Sequence, residues 1–201
     1  MVVAALVLAA CSTGTQATPA SSDSVAVTTT TAHPDDGALV IGAILPTSGI
    51  AADLGASMKL ALEMGVQEIN SSGGVNGRPV RLVTGEEGDN SATAGLAVQS
   101  LAPRVDAIIG PTSSINTLGT LGAAVDAGVL TCSPTASALA LDEFPDDGLF
   151  FRTIASDSLQ AAAIASLVEA SGSSAAVIVY LDDGYGRPFA TAAQRAMAAN
   201  G

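Results

Sequence analysis

Short apolar runs alternate with amphipathic segments along this chain from residue 39 onward. A short apolar run predicts a buried strand, and apolar side chains spaced three or four residues apart predict a helix. The predicted strands are residues 39–45, 80–83, 106–109, 129–132, 150–153 and 175–181. The predicted helices are residues 57–70, 90–101 with Asn90 as the cap, 116–127, 158–170 and 188–200. This alternation is typical of an α/β fold, an open parallel sheet sandwiched by helices.

The pattern restarts after residue 153, which predicts two units. Residues 38–153 form a first lobe, and residues 154–201 form the start of a second lobe. No strand follows the last predicted helix, although a β-α-β unit needs a second strand to receive its helix. We therefore expect the chain to be part of a longer protein whose second lobe is incomplete here.

The first residues differ from the rest of the chain. Residues 1–11 end in Leu8-Ala9-Ala10-Cys11, which resembles a bacterial lipoprotein box and implies a signal peptide cut before a lipidated Cys11. Residues 12–37 are rich in Ser and Thr and predict a flexible tether. These features predict export, with a lipid anchor on the outer face of the cytoplasmic membrane. The alternative is a chance apolar N-terminus that packs in a core, since no basic residue precedes the apolar run.

The charge balance excludes some partners. The chain has 201 residues, a formal net charge of -12 and only 7 Lys and Arg residues. Nucleic-acid binding needs basic groups that displace counterions from phosphate, so we expect no nucleic-acid partner. The same charge argues against contact with anionic headgroups, so the lipid anchor is the expected link to the membrane. We expect a monomer.

The inventory of titratable residues predicts no metal, cofactor or disulfide framework. The two cysteines are Cys11 and Cys132, and the single histidine, His33, lies in the predicted tether. This set is too small for a zinc site. Three acidic pairs lie beside glycines and are interpreted as solvated turn carboxylates: Glu86-Glu87, Asp146-Asp147 and Asp182-Asp183.

Several local motifs occur in a characteristic order between residues 39 and 201. They are Ile41-Gly42-Ala43-Ile44-Leu45-Pro46-Thr47-Ser48-Gly49, Glu68-Ile69-Asn70 followed by Gly73-Gly74-Val75-Asn76-Gly77-Arg78-Pro79-Val80, Ile108-Ile109-Gly110-Pro111, Phe151-Arg152-Thr153 with Asp157, and Tyr185-Gly186. In this order they resemble the branched-chain amino-acid-binding proteins, the extracytoplasmic receptors of ABC importers. The resemblance implies a type I periplasmic binding fold, a small amino acid or amide as ligand, and ABC permease subunits as partners.

Two loops that follow predicted strands carry the expected ligand site. Loops at the carboxyl ends of parallel strands, with the amide N–H groups of a following helix, suit a carboxylate. The resemblance places Ser114, next to Ser113, at the ligand carboxylate. It places the Thr135 carbonyl and the Ser137 hydroxyl at the ammonium, and the Ser137 N–H at the carboxylate, with Ala136 between them. The alternative for these serines is helix capping.

Tyr185 is the expected contribution of the second lobe. The resemblance implies that this tyrosine covers the ligand when the lobes close. The alternative is a turn aromatic half packed against Pro188.

An enzyme and a ligand sensor are two other classes of function for this chain. An enzyme lacks support, because the sequence has no nucleophile elbow, no phosphate-binding P-loop and no histidine placed to activate Ser114 or Cys132. A ligand sensor for a signalling system would use the same binding chemistry and stays open. The ligand also stays open among leucine-like amino acids, other amino acids, amides and urea.

Overall fold

A computed structural model describes residues 36–200 of the chain. Cys11 and His33 lie outside the described residues. The strands are β1 (Val40–Leu45), β2 (Arg81–Glu86), β3 (Ala107–Ile109), β4 (Leu130–Ser133) and β5 (Phe150–Arg152). The α-helices are α1 (Ala52–Ser71), α2 (Ser91–Leu101), α3 (Ser114–Asp126), α4 (Asp157–Ala170) and α5 (Gly186–Asn200).

The five strands form one parallel sheet in the order β2-β1-β3-β4-β5. In its register, Ile41 pairs with Leu82 on one side and with Ala107 on the other. This sheet confirms the predicted α/β class. Because all strands run the same way, the loops that leave their carboxyl ends meet at one edge of the sheet.

The core lies between the sheet and the helices α2 and α3. The inner face of α2 carries Ala94, Val98 and Leu101, the helical spacing of an amphipathic segment. These side chains meet the central strands, and Ile44 of β1 and Ile108 of β3 are fully buried. The main cluster consists of Val40, Ile44, Val98, Leu101, Ala102, Val105, Ile108, Ala124 and Val129. The buried core therefore lies next to the loops that follow β1, β3 and β4.

Helix ends follow local signals in the sequence. Asn90 caps α2 as predicted, since its Oδ1 accepts a hydrogen bond of 3.0 Å from the Thr93 amide N–H. α1 begins at Ala52, earlier than the prediction of residue 57, because a short 3-10 turn (Gly49–Ala51) leads directly into it. α1 ends shortly before Gly73, whose φ of 103° favours glycine.

The predicted strand at residues 175–181 is wrong. The structure shows no strand there, and the alternating side chains of Val177 and Val179 are 91% and 92% exposed. A strand exists only where a neighbour exchanges backbone hydrogen bonds with it. No strand within residues 36–200 lies beside this segment, whereas α4 and α5, which flank it in sequence, form as predicted.

Candidate ligand-binding site

The first site loop runs from Gly110 to the start of α3. Ser113 is the N-cap of α3, and its Oγ accepts a hydrogen bond of 3.4 Å from the Asn116 amide N–H. The capping interpretation therefore holds for Ser113, whose side chain is exposed. Ser114 is the first residue of the helix and is buried.

Ser114 connects the two loops. Its Oγ accepts hydrogen bonds from the amide N–H groups of Ser137 at 3.1 Å and of Ala138 at 3.2 Å. The Ser137 N–H, which the resemblance assigns to a ligand carboxylate, thus donates to Ser114 in this structure. A serine oxygen that accepts two hydrogen bonds still has its own O–H to donate. Ser114 therefore keeps one O–H for a further acceptor.

Further hydrogen bonds hold the second loop against the first. Thr135 Oγ1 donates to the Thr112 carbonyl at 2.7 Å, and Ser133 Oγ donates to the Pro111 carbonyl at 2.5 Å. Ser133 Oγ also accepts from the Ala136 amide at 3.1 Å, and Ala136 is fully buried. The structure therefore brings the predicted residues of the two loops together at one edge of the sheet, where hydrogen bonds join the loops.

A residue without an assigned role lies next to this edge. The amide of Asp157, the first residue of α4, donates to the Ser137 carbonyl at 2.9 Å. The Asp157 side chain is 1% exposed, and neither carboxylate oxygen has a hydrogen-bond partner among the described residues. The sequence showed Asp157 as part of a motif, but only the fold places its backbone beside Ser137 and buries its carboxyl group.

Glu87 corrects one sequence interpretation. It is 1% exposed rather than solvated, and its oxygens accept hydrogen bonds from the first site loop. The pattern of paired acids beside a glycine could not show this, because the donors are more than twenty residues away in sequence. Asp183 behaves as a turn carboxylate, accepting from the amides of Tyr185 and Gly186 at 3.0 and 2.7 Å.

Tyr185 is half-buried just before α5. Its ring stacks on Phe189 with a centroid distance of 6.3 Å and an interplanar angle of 12°. It also packs against a small cluster that contains Leu121, Ala136 and Leu141. Because this cluster includes Ala136 of the second site loop, the tyrosine lies near the edge that carries the site.

An ion pair between Arg152 and Asp142 lies next to the second site loop. Arg152, at the end of β5, donates from Nη1 to the Ala138 carbonyl at 3.2 Å and pairs with Asp142. Ser156, the cap of α4, donates to both oxygens of Asp142 at 2.8 and 2.7 Å. Burial acts to raise the pKa of Asp142, but the Ser156 hydrogen bond and the Arg152 guanidinium outweigh it, so this pKa lies below its ordinary value. Loop, strand end and helix start therefore share one polar network.

Two observations on the described residues concern thiol and metal chemistry. Burial raises the pKa of the Cys132 thiol, which opposes formation of a nucleophilic thiolate. Residues 36–200 contain no group of three or more His, Cys, Asp or Glu side chains arranged to hold a metal ion. Within the same residues, no helix combines the length and apolar character needed to cross a membrane.

The parallel five-stranded sheet, together with its similarity to a solved substrate-binding protein, identifies the class as a type I periplasmic binding fold. The profile of the family described as "Periplasmic binding protein" matches residues 38–201, and the chain belongs to this family. Its solved neighbours include substrate-binding proteins of ABC transporters for branched-chain amino acids.

Three similar proteins illustrate the range of the family. A substrate-binding protein of a chemotactic signal transduction system, BasB of Halobacterium salinarum, is 35% identical over 162 residues, which are 76% of this chain and 39% of BasB. An ABC transporter substrate-binding protein of Desulfitobacterium hafniense, solved with Leu, is 28% identical with a TM-score of 0.72, covering 82% of this chain and 48% of that chain. An ABC transporter solute-binding protein of R. palustris, solved with 4-hydroxybenzoate, is 23% identical with a TM-score of 0.73, covering 82% of this chain and 44% of that chain. This chain spans less than half the length of these relatives.

Proposed function

We propose that this protein is the extracytoplasmic substrate-binding component of an ABC importer and that it binds a zwitterionic amino acid of the branched-chain type. The carboxylate of the ligand accepts from the Ser114 hydroxyl. Its ammonium lies at Asp157, with the Ser137 hydroxyl and the Thr135 carbonyl nearby. The lobes meet at residues 153–154, and Tyr185 covers the ligand from the second lobe.

The buried carboxylate of Asp157 is the observation that carries this proposal. A buried charge without a partner is costly, so such groups are usually paired or hydrogen-bonded. Asp157 has no partner among residues 36–200, and it lies one backbone hydrogen bond from the loop that contains Ser137. An ammonium group would offset the cost of burying this carboxylate.

The same carboxylate discriminates between ligand classes. A simple anion such as 4-hydroxybenzoate has no cationic group for Asp157 and would be repelled by it. A zwitterion satisfies Asp157 through its ammonium and Ser114 through its carboxylate. Among the ligands in the solved neighbours, leucine and isoleucine fit this pair of groups.

Calorimetric titration of the full-length receptor tests the proposal. L-Leucine and 4-methylpentanoate share a carboxylate and a side chain, but the latter lacks the amino group. We expect leucine to bind at least about 30-fold more tightly, because loss of one partner of a buried charge pair costs about 2 kcal/mol or more. Equal affinities, or binding of 4-hydroxybenzoate in place of any amino acid, would contradict the proposed ligand class.

A signalling role is the second candidate, and the similarity to BasB favours it. In that case the closed, ligand-bound receptor would contact a membrane-bound transducer rather than a permease. Co-purification from membranes in the presence of ligand separates the two roles by the partner that is recovered.

The anchor forms a separate proposal. We propose that Cys11 is lipidated and that residues 12–37 tether the binding lobes to the outer face of the membrane. Two or more acyl chains give durable anchoring, whereas one chain gives marginal binding. Cys11→Ser should therefore move the protein from the membrane fraction to the soluble fraction, as followed by immunoblot. An unchanged distribution between the fractions would exclude lipidation as the anchor.

A further inference from the structure

Glu87 extends from the end of β2 to the first site loop. Its amide donates to the Leu45 carbonyl at 3.0 Å, which places its backbone beside the end of β1. The side chain then passes to the loop that follows β3, and 1% of the residue remains exposed. A carboxylate in such a place is stabilised by the donors around it.

Four donors from the start of α3 meet this carboxylate. Oε2 accepts from the Thr112 amide at 2.8 Å and from the Thr112 hydroxyl at 2.7 Å. Oε1 accepts from the Ser113 amide at 2.8 Å and from Asn116 Nδ2 at 3.1 Å. Both oxygens are therefore satisfied by residues that immediately precede or begin α3.

These contacts change which groups a ligand can use. Amide N–H groups at the start of a helix are the usual binding groups for an anion. In this protein the chain's own carboxylate takes the N–H groups of Thr112 and Ser113. The neighbouring Ser114 hydroxyl does not contact Glu87 and remains among the donors that this region can offer to a ligand.

We propose that Glu87 is a positioning residue of the ligand site. Its buried carboxylate holds the Thr112–Ser113 backbone and so fixes the Ser114 hydroxyl as the donor to the ligand carboxylate. The claim that Ser114 donates to the ligand rests on the proposed function. The claim that the Glu87 carboxylate holds the loop can be tested without any amino acid.

Chemical rescue by acetate tests whether a carboxylate at position 87 holds the first site loop. Glu87→Ala leaves the donors of Thr112, Ser113 and Asn116 without a partner, and we expect its thermal midpoint to fall by about 5 to 10 °C. Millimolar sodium acetate should restore part of this loss, compared with sodium chloride at equal ionic strength. Glu68→Ala, which removes an exposed carboxylate from α1, should lose little stability and should not respond to acetate.

Glu87→Gln is the second variant. It keeps the shape of the side chain but replaces one acceptor with an NH₂ group that faces N–H donors. It should be destabilised and should not be rescued, because its side chain still fills the position. A Glu87→Ala variant that shows no specific response to acetate would overturn the proposal.

A ligand comparison separates positioning from general stability. L-Leucinol lacks the carboxylate of L-leucine but keeps its ammonium and side chain. In the full-length receptor, Glu87→Gln should weaken leucine about tenfold, the size of one hydrogen bond to a charged group, and should leave leucinol nearly unchanged. Equal losses for both compounds would overturn the positioning role. A wild-type receptor that binds neither compound would refute the proposed ligand, and the acetate response alone would then decide whether Glu87 holds the loop.

Discussion

Asp157→Asn should make the unliganded receptor more stable and its amino-acid complex much weaker. The substitution keeps the size of the side chain but removes a buried charge without a partner, which costs several kcal/mol. The N-terminus of α4 offsets about 0.3–1 kcal/mol of that cost through the helix dipole. We therefore expect a gain of about 1 to 2 kcal/mol in the free energy of unfolding and a loss of at least about 30-fold in leucine affinity.

Thermal unfolding and calorimetry measure these two effects on the same samples. Asp147→Asn is the matched control, since Asp147 lies in an exposed turn with a φ of 51°, a conformation that asparagine tolerates. It should change neither quantity. If Asp157→Asn lowers stability and leaves affinity intact, Asp157 is a structural residue rather than the partner of the ammonium.

Gly110→Ala should destabilise the first lobe by about 3 kcal/mol or more. A Cβ atom on Gly110 would lie 2.0 Å from the carbonyl oxygen of Ile44, a fully buried residue near the C-terminal end of β1. The φ of 105° is also unfavourable for any residue with a side chain. Since Gly110 joins β3 to the first site loop, the same change should displace Ser114.

Urea unfolding monitored by circular dichroism measures this loss. Gly122→Ala is the control, because Gly122 lies within α3 and a Cβ there meets nothing within 4 Å. Alanine in a helix interior is favoured over glycine by about 1 kcal/mol, so this variant should be slightly more stable. Similar midpoints for the two variants would show that the backbone at residue 110 tolerates a side chain.

Local patterns predicted most of the first lobe. The run at Val40–Leu45 is apolar because both faces of β1 are covered, and the spacing of Ala94, Val98 and Leu101 marks the inner face of α2. Asn90 likewise caps α2 through its own side chain. Such signals depend on residues that are close together in sequence, so a single chain contains them completely.

The segment at residues 175–181 shows the limit of such patterns. Its alternation matches a strand, yet strand formation requires hydrogen bonds from another strand, and none lies beside it within residues 36–200. The order of the motifs also indicated the family and the two site loops. It could not show which hydrogen-bonding groups of these loops already have a partner within the protein.

The amino-acid order therefore predicted the α/β class, the helices and the positions of Ser114 and Ser137 shortly after the ends of strands. The folded chain decided how those groups are used, because burial and hydrogen bonding join residues that are distant in sequence. Glu87 reaches Ser113 across the end of β1, and Ser137 donates to Ser114. Asp157 lies beside the second loop with a buried carboxylate that has no hydrogen-bond partner among residues 36–200. Each of these facts depends on the parallel sheet, which brings the ends of separate strands to one edge.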